Sequence, residues 1–227
     1  MKEFIVHNTP MSPISEAYRG IRTNMQFANV DRDYKSVLFT SSTAGEGKTT
    51  TLCNVAGTLA DIGQKVVILD CDLRKPRIHK FFNISNHFGL TDVLLNEADY
   101  KEAIQQTQHK GIWVIPSGKI PTNPSEVLSS GAMKRFVECL KADFDYVLID
   151  TPPVVPVTDA LIMSTYIDRV MLVCASGELE RELAIKAKDS LDKVGAKILG
   201  VVLNKVAMNH NKYQNYYYYH NDERKKK

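Results

Sequence analysis

The chain has 227 residues, of which 44% are hydrophobic and 24% charged, a composition typical of a globular protein with one large α/β domain. This mixture excludes disordered and fibrous proteins. The 29 Lys and Arg residues against 26 Asp and Glu give a net charge of +3, which does not indicate a nucleic-acid-binding surface. No apolar stretch reaches the about 18 residues that span a bilayer, and the N-terminal residues lack the apolar core of a signal peptide.

The chain contains four cysteines, Cys53, Cys71, Cys139 and Cys174, and no two of them are spaced as a CxxC-type metal or redox pair. Three lie in apolar or helix-like stretches, where cysteine behaves as a small hydrophobic residue. We therefore expect a protein of the reducing cytoplasm. From the nearly balanced charge we expect no nucleic-acid partner.

Short apolar runs alternate with longer amphipathic stretches, an order typical of a doubly wound α/β fold. A helix is predicted over residues 12–29, with Ser12 as its N-cap and Pro13 at its first position. The predicted strands are rich in β-branched residues and apolar on both faces, which favours a mostly parallel sheet with helices on both sides. They cover residues 37–40, 66–69, 112–115, 146–149, 170–174 and 198–203, and the main helices between them cover 49–62, 132–141 and 180–193.

The pattern ends near residue 208, and residues 208–227 have no apolar periodicity. We expect this segment, rich in Asn, Tyr and Lys, to be a disordered tail. Five of the 10 tyrosines lie in it, at Tyr213, Tyr216, Tyr217, Tyr218 and Tyr219. Four adjacent aromatic residues in a polar context are poor candidates for a core, so a stacking role and a chemical role stay open.

Residues 42–49 read Ser-Thr-Ala-Gly-Glu-Gly-Lys-Thr and lie between a predicted strand and a predicted helix. The stretch matches the P-loop pattern, with serine in place of the first glycine. A P-loop needs small residues whose backbone N–H groups face phosphates, a lysine for the β- and γ-oxygens and a hydroxyl for Mg²⁺. Gly45, Gly47, Lys48 and Thr49 fill these roles; the alternative is a glycine-rich turn without a ligand.

Two further predicted strands end in carboxylates. Asp70 and Asp72 follow the apolar run 67–69, and Asp150 follows 147–149. In a parallel sheet these residues emerge at the same carboxyl edge as the P-loop, where ligands bind. Asp70 and Asp72 share one side of the chain if the strand continues that far. The alternative is that Asp70 or Asp150 only caps the following turn.

These features together resemble the bacterial protein-tyrosine kinases (BY-kinases), specifically the cytoplasmic capsular and exopolysaccharide type of Gram-positive bacteria. The resemblance rests on a Walker A stretch at 41–49, a Walker A′ stretch at 68–74, a Walker B stretch at 148–152 and the tyrosine-rich tail. Ala44 stands where the family usually has proline, and Ser42 in place of glycine is usual in the family. Eukaryotic-type kinase signatures are absent from the sequence.

The resemblance implies a P-loop NTPase fold at residues 1–207, a tyrosine-cluster tail at 208–227, and ATP and Mg²⁺ as cofactors. Lys48 would hold the transferred phosphate, and the metal-holding residues would be Thr49, Asp72 and Asp150. Asp70 and Asp72 would divide metal contact and activation of the acceptor tyrosine, and which of them is the base stays open. The implied nucleotide-binding residues are Thr43, Ala44, Gly45, Glu46, Gly47, Lys48, Thr49, Thr50, Arg74 and Asn204.

Asn204 follows the last predicted strand, at the edge where related P-loop proteins recognise adenine. Its amide offers the donor and the acceptor that a purine edge requires, although an ordinary turn asparagine is an equal alternative. The stretch 123–126, Asn-Pro-Ser-Glu, also resembles a family stretch. We prefer to interpret it as a helix start with a capping box.

Glu16, Arg19 and Arg22 are spaced three apart, so they share one face of the helix predicted at 12–29. Alone, this pattern is typical of a solvated surface. In the resembled family it packs subunits into a ring, implying a homo-oligomer, with an octamer as the candidate size, that phosphorylates the five tail tyrosines in trans. The resemblance also implies a membrane adaptor of the polysaccharide co-polymerase type, recruitment to the inner face of the membrane and a cognate tyrosine phosphatase.

Two other functions fit a P-loop protein of this size. A positioning ATPase of the ParA/MinD type carries a second lysine five residues before the P-loop lysine, where this chain has Thr43, and lacks a tyrosine cluster. An iron–sulfur carrier of the same superfamily needs paired cysteines, which the chain lacks. The sequence therefore predicts an ATP-dependent protein-tyrosine autokinase that regulates capsule or exopolysaccharide production.

Overall fold

The computed structural model describes residues 3–30, 34–96 and 99–207. Its centre is a seven-stranded sheet made of β1 (Ser36–Ser41), β2 (Val66–Asp70), β3 (Gln105–Gln106), β4 (Ile112–Ile115), β5 (Tyr146–Asp150), β6 (Arg169–Ala175) and β7 (Ile198–Asn204). The strand order is β3-β4-β2-β5-β1-β6-β7. Neighbouring strands are parallel except for the pair β3 and β4, which is antiparallel. The predicted doubly wound, mostly parallel α/β fold is confirmed.

Nine α-helices and one short 3₁₀ turn, Tyr100–Glu102, lie in the described part of the chain. The helices are α1 (Ile5–Asn8), α2 (Pro13–Phe27), α3 (Lys48–Ala60), α4 (Ile78–Phe82), α5 (Leu90–Asn96), α6 (Pro124–Ser129), α7 (Gly131–Asp143), α8 (Asp159–Ser164) and α9 (Arg181–Lys193). Ser12 caps α2 as predicted, its side chain accepting a hydrogen bond from the backbone N–H of Ser15 at 3.1 Å.

The sheet is covered on both faces, and side chains alternate between two cores along each strand. In β5, Val147 and Ile149 face the core that α5 to α9 cover, whereas Tyr146 and Leu148 face the core under α1 to α4. Because both faces of the central strands are buried, these strands are apolar at successive positions rather than at every second one. The edge strand β7 differs, since Val201 and Leu203 are exposed. This arrangement brings the carboxyl ends of β1, β2 and β5 together at one edge.

The N-terminal segment lies across α3, the helix that begins in the P-loop. Phe4 and Val6 are buried, and a Cβ atom at Gly57 of α3 would lie 2.7 Å from Val6 and 2.9 Å from Phe4. Asn54 accepts a hydrogen bond from the Val6 backbone N–H at 3.0 Å and donates one to the Glu3 carbonyl at 2.9 Å. The sequence patterns did not predict this packing.

Several smaller differences from the sequence expectations are visible. The six predicted strands are present, but β3 was not predicted, nor were the short helices α1, α4, α5 and α8. The helix predicted at 12–29 is Pro13–Phe27. No helix in the described ranges has the length and apolarity needed to cross a membrane. The predicted tail, residues 208–227, lies outside the described residues.

Candidate active site

The P-loop follows β1, and α3 begins after Gly47, whose backbone is in the left-handed region. Gly45 and Gly47 have φ angles of +87° and +93°, which only glycine adopts without strain. A Cβ atom at Gly47 would also lie 2.1 Å from Nδ2 of Asn204. Glycine is therefore required at this position for its conformation and for the close approach of β7.

Lys48 joins two of the predicted acids. Its Nζ lies 3.0 Å from Oδ2 of Asp72 and 3.1 Å from Oδ1 of Asp150. The hydroxyl of Thr49 donates a hydrogen bond to the other oxygen of Asp150 at 2.7 Å. Burial alone would lower the pKa of Lys48, but the charges of Asp150 and Asp72 outweigh it and raise this pKa. The lysine is thus a stable cation held between two carboxylates.

Burial dominates the electrostatics of the two strand-end acids. Desolvation and the neighbouring charge of Asp150 raise the pKa of Asp70 to about 8. Desolvation also raises the pKa of Asp150, although the Lys48 ammonium and the Thr49 hydroxyl oppose the shift. The negative charges of these buried acids are therefore poorly solvated, and binding of an additional cation would be favourable there.

Asp70 and Asp72 have different partners. β2 ends at Asp70, and the backbone N–H of Lys75 bonds to the Asp72 carbonyl at 3.1 Å, so a turn begins at Asp72. The condition under which the two acids would share one side, a strand that continues to Asp72, is therefore not met. Oδ2 of Asp70 accepts hydrogen bonds from the backbone N–H groups of Arg77 at 3.1 Å and Ile78 at 3.0 Å. Its Oδ1 is buried with no hydrogen-bond partner in the described structure. Asp70 thus caps the following turn with one oxygen and leaves the other available.

Glu46 lies in the P-loop, where a carboxylate would repel phosphates, yet its side chain is buried. Oε1 accepts hydrogen bonds from the backbone N–H and the hydroxyl of Thr43, and Oε2 accepts one from the backbone N–H of Ala175 at the end of β6, at 3.0 Å. The amide of Asn204 donates to the Glu46 carbonyl at 2.8 Å. The side chain predicted to bind nucleotide therefore ties the loop to β6, and β7 is tied to the same residue.

Arg74, predicted to bind nucleotide, has its side-chain partners outside the P-loop among the described residues. Its guanidinium forms two hydrogen bonds with the buried carboxylate of Asp159, at 2.8 and 3.0 Å, and one with the Ser125 hydroxyl at 3.2 Å. Ser125 also donates to Asp159 at 2.8 Å. This network joins the loop after β2 to the starts of α6 and α8. The sequence reasoning missed Asp159, because no local pattern marks an acid 85 positions from its arginine.

Other predicted site residues lie further from the carboxylates. Ala44 is exposed in the P-loop, and the hydroxyl of Thr50 donates to the Glu3 carboxylate at 3.1 Å. Asn123 starts α6 as expected, but its side chain bonds to Glu126 at 3.1 Å rather than to a backbone N–H, so the capping box is incomplete.

The predicted interface residues lie on α2. Glu16 and Arg19 form an ion pair on its surface. Arg22 donates to the carbonyl of Thr58 in α3 at 3.2 Å, so it also holds α2 against the P-loop helix. The five predicted phosphorylation sites, Tyr213, Tyr216, Tyr217, Tyr218 and Tyr219, lie outside the described residues.

The donor set fits a magnesium ion bound together with a nucleotide. Thr49, Asp72 and Asp150 present hydroxyl and carboxylate oxygens, the ligand type that Mg²⁺ prefers, and the Lys48 ammonium already lies among them as a cation. Over the described ranges no group of three His, Cys, Asp or Glu side chains forms a cage for a metal. Phosphate and water oxygens would have to complete the coordination of such an ion.

Comparison with known proteins identifies this arrangement. The AAA domain family matches residues 34–180. The tyrosine-protein kinase YwqD of Bacillus subtilis is 44% identical over 216 residues, covering 95% of this chain and 91% of that protein. The tyrosine-protein kinase CpsD of Streptococcus agalactiae is 37% identical and covers 93% of this chain and 92% of its own length. The crystal structure of the chimerical protein CapA2B2 superposes with a TM-score of 0.87 at 41% identity, covering 92% of each chain.

Positioning ATPases share the fold at a greater distance. The cell division ATPase MinD of Pyrococcus furiosus superposes with a TM-score of 0.66 at 29% identity, covering 78% of this chain and 74% of its own. The relation to ParA/MinD proteins is thus a distant one of fold, whereas the tyrosine kinases match nearly the whole length. The chain belongs to the bacterial tyrosine-protein kinases of the capsular and exopolysaccharide type, which are built on a P-loop NTPase fold.

Proposed function

We propose that this chain uses Mg²⁺ and ATP to phosphorylate the tyrosines at 213–219 of a second copy of itself, and thereby regulates polysaccharide production. The observation that carries the proposal is the position of the Lys48 ammonium at the mouth of the P-loop. It lies 3.0 Å from a carboxylate oxygen of Asp72 and 3.1 Å from one of Asp150. A lysine, a P-loop hydroxyl and strand-end carboxylates are the parts that phosphoryl transfer requires. Residues 1–207 form the kinase domain in this proposal, and 208–227 carry the acceptors.

In the proposed reaction the phenol oxygen of the acceptor bonds to the γ-phosphorus, and the bond from that phosphorus to the β,γ-bridging oxygen breaks. Backbone N–H groups of the P-loop and Lys48 hold the phosphate oxygens. A carboxylate, Asp70 or Asp72, takes the proton of the phenol, whose unperturbed pKa is about 10. Bound Mg²⁺ would neutralise charge on the phosphates, and Thr49, Asp72 and Asp150 would hold it.

Lys48 has to change partners for this reaction. Its ammonium lies between the Asp72 and Asp150 carboxylates, and a Mg²⁺ ion held by the same carboxylates would leave that ammonium free to hold a phosphate oxygen. Asn204, whose amide lies against the P-loop, would offer its remaining donor and its carbonyl to the base.

The proposed function includes partners that the sequence resemblance implies. A ring formed through Glu16, Arg19 and Arg22 would bring each tail to a neighbouring site. A membrane adaptor of the polysaccharide co-polymerase type would recruit the ring to the inner face of the membrane, and a tyrosine phosphatase would reset it. A solved relative of the same fold, CapA2B2, is a chimerical protein, which supports a kinase that works with a second polypeptide.

Incubation with Mg·ATP followed by mass spectrometry of the tail tests this function. We expect phosphate on residues 213–219 in the wild type and a loss of at least about a hundredfold in Lys48→Met, because the variant has no cation for the transferred phosphate. Lys186→Met, an exposed position on α9, is the matched control and should keep full activity. Equal phosphorylation of wild type and Lys48→Met would contradict the proposed site.

A further inference from the structure

The segment between Asp72 and Asp92 carries positive charge and no acid. It contains the cations Arg74, Lys75, Arg77 and Lys80, together with two histidines. Arg74 is paired with Asp159, but the side chains of the other three are exposed and form no ion pair with any residue that the structure describes. Lys119, exposed after β4, is likewise unpaired in the described ranges. We call these four unpaired cations, Lys75, Arg77, Lys80 and Lys119, the cationic rim.

Two residues of the cationic rim, Lys75 and Arg77, are fixed to the site's carboxylates through their backbone. The N–H of Arg77 donates to Asp70 at 3.1 Å, and the N–H of Lys75 donates to Asp72 at 3.0 Å. Lys80 follows Arg77 by one helical turn, its N–H bonded to the Arg77 carbonyl at 3.1 Å. The two side chains are therefore neighbours at the margin of the site.

The outward direction of the rim follows from the packing of α4. Ile78, Phe81 and Phe82 are buried and fill the inner side of this short helix. Arg77 and Lys80 are left on its solvent side. The loop that carries Lys119 leaves β4, and β4 is parallel to its neighbour β2, so this loop and the loop after β2 start at the same edge of the sheet.

Neither reactant of the proposed kinase needs these cations. In the proposed function the phosphates of ATP are bound by the P-loop, Lys48 and Mg²⁺. An unmodified tyrosine is neutral at pH 7 because its pKa is about 10. Four unpaired cations beside buried carboxylates repel one another and gain from an anionic ligand. A phosphate group on the acceptor chain is such a ligand, and arginine binds it through two parallel hydrogen bonds.

We propose that the cationic rim binds a phosphotyrosine within residues 213–219 of a second copy of the chain while another tyrosine of the same segment enters the active site. The inference rests on the kinase function proposed above. It makes the product of one transfer an anchor for the next. Successive residues of an extended chain are about 3.3–3.6 Å apart, so the adjacent tyrosines at 216–219 place a phosphate within a few residues of the next acceptor.

The charge of the tail makes the recognition specific for the modified form. Residues 208–227 contain five Lys and Arg against two Asp and Glu, so the unmodified tail is cationic and the rim repels it. Residues 213–219 themselves contain no charged side chain. A single phosphate adds about −1.5 to −2 charges at pH 7 and makes this stretch anionic.

Two synthetic peptides covering residues 211–221, one unmodified and one phosphorylated at Tyr218, test the proposal by fluorescence anisotropy with the dephosphorylated full chain. We expect the wild type to bind the phosphopeptide about tenfold more tightly than the unmodified peptide. Arg77→Gln with Lys80→Gln should reduce this preference to below about threefold. Lys75→Gln with Lys119→Gln is a second variant, and Lys186→Gln with Lys193→Gln on α9 removes the same charge elsewhere as the control.

Equal affinity of the wild type for both peptides would overturn the proposal, as would a preference that both rim variants retain. Loss of binding to phosphatidylglycerol vesicles in the rim variants, with no peptide preference in the wild type, would assign the rim to a membrane surface instead. The kinase function is tested separately, since the peptide phosphate is synthetic. A chain that adds no phosphate to itself would contradict the kinase, and one that does so but ignores the phosphopeptide would contradict the rim alone.

Discussion

Glu46 shows how a negative charge is made compatible with a phosphate-binding loop. Its carboxylate is 3% exposed and receives hydrogen bonds from two groups of Thr43 and from the Ala175 backbone. Hydrogen bonds to a charged group contribute about 1.5–3 kcal/mol each, so three of them hold the side chain away from the cradle. The same contacts fix the loop relative to β6. We infer that Glu46 positions the backbone N–H groups rather than contacting the nucleotide.

Glu46→Gln should weaken ATP and ADP binding about tenfold, because the new amide N–H₂ group faces an N–H donor and leaves at least one buried hydrogen bond unmade. Adenosine, which has no phosphate, should bind almost as before. Calorimetric titration of the full chain with the three ligands measures this pattern. Glu178→Gln is the control, since Glu178 is an exposed carboxylate paired with Lys205 near the same edge. An ATP affinity within about twofold of wild type would refute the positioning role.

At the residue scale, sequence patterns could predict the parts of the site that are local in the chain. Lys48, Thr49 and the strand-end acids each follow an apolar run, and the parallel topology brings them together. The bond from Ala175 to Glu46 joins residues 129 positions apart, and that from Arg74 to Asp159 joins residues 85 apart. No local pattern encodes such pairs, because they depend on which strands become neighbours.

Single elements of the sheet are held in place by charged groups at their ends. Asp168, just before β6, accepts hydrogen bonds from the backbone N–H groups of Lys35 and Ser36 at 3.0 and 2.9 Å, at the start of β1. Its other oxygen accepts one from Lys141 of α7 at 2.9 Å. Burial alone would raise the pKa of Asp168, but these donors outweigh it and lower this pKa. One carboxylate thus joins two strands and a helix.

Asp168→Asn should lower the free energy of unfolding by about 2 kcal/mol at pH 7, since charged hydrogen bonds become neutral and one donor is left unpaired. The pKa of Asp168 is lower in the folded than in the unfolded state, so its contribution is present above the unfolded pKa of about 3.9 and is lost as the pH falls below it. Urea unfolding at several pH values between 7 and 3 measures the difference, which should shrink below about pH 4. Asp189→Asn on α9 is the control; a difference that is independent of pH would contradict the assignment.

At the element scale, the longer and more deeply buried elements could be predicted from the sequence, and the short ones could not. Five of the six predicted strands are largely buried on both faces and are continuous apolar runs. β7 could be predicted from its apolar run although Val201 and Leu203 are exposed. β3 consists of two glutamines, and α1, α4 and α8 have four to six residues, too few for a helical period to show. The packing of Phe4 and Val6 on α3 depends on Gly57, a glycine inside a helix whose role becomes visible only when its neighbours are known.

The whole molecule links the proposed subunit interface to the nucleotide site through two helices. α2 carries Glu16 and Arg19 on its surface and packs on α3, which begins at Lys48. Arg22 bonds to the carbonyl of Thr58 in α3 at 3.2 Å, so its position depends on the P-loop helix. A neighbouring subunit that binds α2 would therefore act on an element joined directly to the P-loop. This arrangement predicts that assembly and phosphorylation are coupled.

Replacing Arg19 and Arg22 by alanine should convert the proposed ring into monomers in sedimentation velocity and reduce the proposed phosphorylation of the tail in trans. Arg19→Ala alone separates the interface from the fold, because among the described residues the Arg19 side chain bonds to Glu16 on its own helix, whereas Arg22→Ala also removes the contact with α3. We expect Arg19→Ala to dissociate the ring with a melting temperature close to that of wild type, since a surface ion pair contributes about 0–1 kcal/mol. Lys188→Ala, which breaks the Lys188–Asp192 pair on α9, is the matched control and should keep the wild-type sedimentation coefficient. An unchanged oligomer in the double variant would refute the interface on α2, and monomers that still modify their tails at the wild-type rate would show that transfer needs no neighbour.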